Sequence, residues 1–230
     1  MDRRQFTAAL WAGPGAAALA VTPIGAWAAA LGEREAAAGV RAALERGVRA
    51  AVGRLGRPDG FLGDERVRIP LPGFLQDAQR LLRATGQQRR VDELVTAMNR
   101  AAEAAVPEAT DLLLRTAREV TVTDALAMVQ GGDTGVTDHF AQRTRDPLTQ
   151  AFLPIVTRAT ERVALAERYN ALASRARSLN LVKPEQANLQ QHVTTKALDG
   201  LYLVIGDEER KLRADPVAAG SDLLRRVFGR

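Results

Sequence analysis

The sequence predicts an all-α protein: a single-domain helical bundle of about seven to ten helices with one long extended Pro/Gly-rich strap. Three observations predict it. Apolar residues recur every three or four positions through most of the chain. Proline, glycine and short polar side chains punctuate those runs where helices should start and stop. No segment reads confidently as a strand, and the one short alternating stretch carries two prolines.

Residues 1–30 read as a signal peptide. Arg3 and Arg4 precede an apolar run from Ala8 to about Ala20, and Ala26-Trp27-Ala28 places small residues for cleavage near 28–30. Asp2-Arg3-Arg4-Gln5-Phe6 also fits the twin-arginine export motif, with the general route open beside it. An uncleaved anchor is disfavoured because Gly13, Pro14, Gly15 and Pro23 interrupt the run, and a span needs ~20 predominantly apolar residues. The expected location is periplasmic or secreted, with residues 31–230 as one all-α domain that does not span the membrane after processing.

The first helix is expected over Glu33–Gly56, with Val40, Leu44, Val48, Ala51, Val52 and Leu55 on one face. Gly56 can end it in the left-handed conformation. A short helix over Phe74–Thr85 follows the strap. Gln87–Val106 carries Val91, Leu94, Val95, Met98, Ala102 and Ala105, and Pro107 should break or kink it before a helix holding Leu112, Leu113, Ala117 and Val120. Asp124–Gln130 has Thr121 or Thr123 as its N-cap. Gly131-Gly132 ends it, and Asp133 or Thr134 can cap the next helix, through Val136 and Phe140 to about Thr144. Asp146-Pro147 signals a new start. That helix holds Leu148, Phe152, Ile155, Val156, Ala159 and Val163, with a kink at Pro154 and a continuation through Tyr169 and Leu172 to about Leu179. Asn188 with Gln191 looks like a capping box for a helix over Val193, Ala197, Leu201, Val204, Ile205 and Leu212. After Asp215-Pro216, Ser221 caps a last helix with Leu223, Leu224 and Val227.

The strap lies within RPDGFLGDERVRIPLPG, residues 57–73. Loops of this length without secondary structure are uncommon in compact domains and often functional. Val67, Ile69 and Leu71 alternate with Arg66, Arg68, Pro70 and Pro72, a period of two that makes one apolar and one basic or proline face. One reading is a seal over an end of the bundle. The other sets Arg66 and Arg68 outward as a paired anion contact.

PDGFLGDERVRIPLPGFL, MNRAAEAAVP, GGDTGVTDHF, FLPIV and TKALDGLYLVIGDEERKLRADP follow one another along nearly the whole chain after residue 30. In these blocks the chain resembles an exported bacterial domain family of unknown function, the one numbered 4197. The resemblance implies a helical domain in the envelope. It supplies no catalytic or binding residues. His139 stands where that family's block is expected to carry an aromatic, which argues against a catalytic histidine.

The chain has no cysteine, so disulfides and thiol chemistry are excluded. Trp11 and Trp27 both lie in the leader, which leaves few aromatics for stacking sugars or unpaired bases. The net charge is +5, with only Lys183, Lys196 and Lys211 among 32 basic residues. Arginines interleaved with glutamates read as a solvated surface, and nucleic acid is not an expected partner. Ser174, Ser178 and Ser221 sit in no nucleophile elbow, and His139 and His192 form no zinc spacing. No cofactor or metal is expected.

Gly131–His139 could bind an anion at a helix start or a hard cation through oxygen ligands, though a capped helix junction explains it as well. Asp207-Glu208-Glu209 reads as a salt-bridged face. The candidate ligand-binding residues are Arg66, Arg68, Asn99, Arg100, Glu103, Asp133 and Asp199, with Asn99, Arg100, Glu103 and Asp199 as one polar pocket. The expected function is a non-catalytic binding or scaffold protein of the envelope. Alternatives are a carrier of an apolar or anionic ligand and a hydrolase with an unrecognised carboxylate site. Its partner would be an envelope protein, a lipid headgroup, an apolar ligand or a second copy of the chain.

Overall fold

A computed structural model describes residues 24–73, 88–161, 188–216 and 222–228. They form α1 (Ile24–Leu55), α2 (Gln88–Glu108), α3 (Thr110–Arg118), α4 (Val122–Gln130), α5 (Gly135–Glu161), α6 (Leu189–Ala214) and α7 (Asp222–Phe228). The fold is all-α, with no strand among the described residues. No helix among them is long and apolar enough to cross a membrane. Residues 1–23 of the leader expected over 1–30, the helix over 74–85, the continuation to Leu179, the Ser221 cap and the side chains of Leu223 and Leu224 lie outside the described residues; residues 24–30 are helical and continuous with α1.

α6 occupies the centre. It packs most extensively on α5, then on α1, and also on α2. Leu189, Val193, Ala197, Leu198, Leu201, Val204, Ile205 and Leu212 are buried along one broad apolar side, while Lys196, Leu203 and Arg210 are exposed on the other. α5 runs antiparallel to it, since Thr137 meets Glu209, Thr144 meets Tyr202 and Arg145 meets Asp199. α1 buries Val40, Leu44, Val48, Ala51 and Leu55, and lies against α3, α4 and α7 as well as α6.

The caps are local where expected. Thr121 forms a reciprocal capping box with Asp124, and the Asn188 side chain accepts from the Gln191 amide at 3.0 Å. Four boundaries differ from the sequence reading. α1 begins at Ile24, ahead of Glu33, because the alanine-rich stretch before it favours helix. Gly56 takes no left-handed φ; a Cβ there would sit 2.8 Å from the Pro107 ring, so the glycine permits a close approach. α2 passes Pro107 and ends one residue later, with α3 starting at Thr110.

The fourth concerns Asp146-Pro147, which does not start a helix. α5 runs through both Pro147 and Pro154. Each interior proline costs about 3 kcal/mol. The lost bonds fall on the exposed face, where Arg143, Pro147, Gln150 and Pro154 lie. The opposite face buries Phe140, Leu148, Phe152, Ile155 and Val156. At roughly 1.5–3 kcal/mol for each large apolar side chain, burial outweighs two prolines.

Candidate functional site

Segment 57–73 lies between α2 and α6 and is held from both sides. Phe61, Val67, Ile69 and Leu71 are buried. The chain turns sharply at Asp59, which adopts a φ of 64°, and at Gly60, where a Cβ would lie 2.6 Å from the carbonyl oxygens of Arg54 and Leu55. Gly200 of α6 opens room for the segment: a Cβ there would stand 2.8 Å from the Phe61 ring.

Two buried polar residues of α2 clasp the backbone. Glu103, 4% exposed, accepts from the amides of Phe61 (3.1 Å) and Leu62 (3.2 Å) through one oxygen. Its other oxygen takes Nη1 of Arg100 at 2.6 Å. Asn99 is fully buried. Its Oδ1 accepts from the Ile69 amide at 2.8 Å, and its Nδ2 donates to the carbonyls of Ile69 (3.0 Å) and Val95 (2.8 Å). One side chain thus pairs both backbone groups of Ile69, as a neighbouring strand would.

Arg100 reaches Asp59 with Nη2 at 2.8 Å, and Arg54 pairs with Asp64. From α6, His192 donates Nε2–H to the Pro70 carbonyl at 3.0 Å, the only role a ring nitrogen can play toward a carbonyl. Burial holds the His192 pKa below the ordinary histidine value, against the opposing effect of that bond.

The candidate residues therefore fall in several places. Arg66 donates to Asp207 of α6 at 2.6 Å, and that bond raises the already high pKa of its guanidinium. Arg68 is exposed, and its guanidinium makes no bond among the described residues. Asn99, Arg100 and Glu103 come together, on the backbone of segment 57–73. No hydrogen bond or ion pair joins Asp199 to them: it pairs with Arg145 at 3.0 Å and Lys196 at 3.4 Å. Asp133 is exposed in the turn before α5.

A second clasp sits at the N-terminus of α5. Glu209 is 4% exposed and accepts from the amides of Val136 (3.1 Å) and Thr137 (2.8 Å) and from the Thr137 hydroxyl (2.7 Å). Arg213 completes it at 2.8 Å. The amides at this helix start are thus taken by the protein's own carboxylate. Asp133 and Thr134 make no side-chain cap, and the Thr134 hydroxyl bonds Asp138 instead. Asp207 and Glu208 do form a salt-bridged surface, with Arg66, Arg210 and Lys211. Burial would raise the Asp207 pKa, but the bonds from Arg66 and Arg210 prevail and lower it. Glu209 departs from that reading. Its signal was its register: it falls four residues after Ile205 and three before Leu212, on the apolar stripe.

A further polar cluster joins the Thr121 cap and His139, which the sequence names only separately, with Asp124 and Arg143 at the start of α4 and in the first third of α5. Asp124 takes the Thr121 hydroxyl at 2.8 Å, the Thr121 amide at 3.2 Å and Nη2 of Arg143 at 2.7 Å. The Thr121 hydroxyl chiefly lowers its pKa, against burial and with help from Arg143. His139 places Nε2 3.5 Å from Asp124, a buried nitrogen without a hydrogen bond. A cleft of about 300 Å³ opens beside them, floored by Val120, Met128 and Phe140. Among the described residues no three His, Asp or Glu side chains converge in the manner of a metal cage.

No curated protein and no solved structure matches the chain. A family model described as "Protein of unknown function (DUF4197)" matches residues 30–229, and the chain belongs to that family.

Proposed function

We propose that this is an exported, non-catalytic helical binding or scaffold protein of the bacterial envelope. The observation that carries the reading is how its buried polar groups are used. Asn99, Glu103 and Glu209, the buried residues best suited to chemistry, direct their acceptors at backbone amides of the same chain. A general acid or base needs its carboxylate within reach of a substrate proton. Glu103, Asp133, His139 and Asp199 share no hydrogen bond or ion pair with one another among the described residues. Export rests on the leader read in residues 1–30, and the match beginning at residue 30 agrees with a domain starting there.

The finer architecture belongs to the same reading: one domain over 31–230, seven to ten helices, and a strap over 57–73 that seals one end and turns Arg68 outward. The 300 Å³ cleft favours a second reading, a carrier of a small ligand, because it lies at the low end of ligand-cavity sizes.

Protein recovered from the envelope fraction should test both. Native mass spectrometry is expected to give a chain shortened to about residues 28–30 and a co-purifying ligand or partner. Fluorescence should come from tyrosine alone, because Trp11 and Trp27 leave with the leader. A tryptophan signal would overturn processing. Turnover of a small molecule, abolished by changing one acidic side chain, would overturn the non-catalytic reading.

A further inference from the structure

The cleft between the end of α3, α4 and the first half of α5 has an apolar floor, with the charged groups Glu119, Asp124 and Arg143 in its lining. Val120, Met128 and Phe140 line it and are almost wholly buried. Glu119 ends α3 and is exposed, and its carboxylate makes no bond among the described residues. Arg143 spends one nitrogen on Asp124, leaving its other donors free of protein partners among the described residues. Asp124 is held in turn by Thr121, which gives the guanidinium an oriented partner.

We infer that this cleft binds a free α-amino acid with an apolar side chain. The inference rests on the binding reading above and names its ligand. Glu119 lies at the negative end of the α3 dipole, which suits an ammonium group. A planar guanidinium already oriented by one carboxylate can take a second along its remaining donors. A simple apolar anion would face Glu119, and a simple amine would face Arg143. A zwitterion satisfies both, and the floor accepts its side chain. The volume suits a molecule of that size rather than a lipid chain.

Titration calorimetry on the processed protein tests this. L-phenylalanine and L-leucine should bind. N-acetyl-L-phenylalanine, L-phenylalaninamide and glycine each lack one of the three features and should bind at least about tenfold more weakly. Glu119→Gln should weaken L-phenylalanine about tenfold and remove the discrimination against the N-acetyl form. Arg143→Gln should do the same for the amide form. Both residues are exposed, so unchanged helical circular dichroism and melting identify a folded variant. No binding of either amino acid at millimolar concentration, equal binding of the blocked forms, or indifference to Glu119→Gln would overturn the inference. If another ligand co-purifies while amino acids fail to bind, the inference falls alone. If catalytic turnover appears, the underlying reading falls with it.

Discussion

Glu103 and Arg100 are neighbours on one helix and partners in one ion pair, yet their contributions should differ widely. Glu103 is buried and serves two backbone amides; Arg100 is exposed and serves two carboxylates. Removing the buried acceptor strands donors that have no other partner, at ~1–3 kcal/mol each. The solvated guanidinium of Arg100 is screened by water, so its loss should matter much less. Glu103→Ala should therefore lower the unfolding free energy by about 2–5 kcal/mol, and Arg100→Ala by a clearly smaller amount, in parallel denaturant titrations. Equal losses would mean that the ion pair, and not the amide clasp, holds the segment. Glu103 was visible in the sequence as a charged residue four positions after Asn99, itself four after Val95. That register announced burial. It could not announce that the partner would be the backbone of Phe61 and Leu62, about 40 positions earlier.

Helices carry their own test in their glycines. Gly53 of α1 is exposed, with nothing within 4 Å of a Cβ added there. Gly200 of α6 faces Phe61 at 2.8 Å and Val67 at 3.3 Å. Alanine improves helix propensity by about 1 kcal/mol at either position. Overpacking a well-filled contact costs about 1–3 kcal/mol. Gly53→Ala should raise the melting temperature and Gly200→Ala should lower it. Stabilisation by both would show that segment 57–73 yields easily to α6. At this scale the apolar stripes and the Thr121 and Asn188 caps were legible, because each depends on residues within one or two turns. The continuity of α5 through Pro147 was not, because the compensation comes from the face it buries against α6.

The molecule as a whole should lose stability on acidification, and three groups give the same sign. His192, Asp124 and Asp207 all have folded pKa values below their ordinary ones. Each binds fewer protons folded than unfolded, so stability rises with pH across its window. For His192 the contribution is complete above its unfolded value near 6.5 and is lost as pH falls through the lower folded value. The carboxylates follow below about 3.8. Chemical denaturation between pH 7.5 and 4.5 should thus show falling stability in wild type and a flatter profile in His192→Gln. A parallel fall in that variant would assign the acid sensitivity to groups other than the Pro70 contact.

The amino-acid sequence by itself determined that the chain is helical, which faces turn inward and where several helices begin, because those properties rest on neighbours a few residues apart. Tertiary structure alone decided that Asn99 and Glu103 grip segment 57–73, that Glu209 caps α5 from another helix, and that Asp199 stands apart from the pocket expected of it. Buried donors must find acceptors wherever the packed chain brings one. That choice depends on which distant elements meet, and no local pattern in the sequence records it.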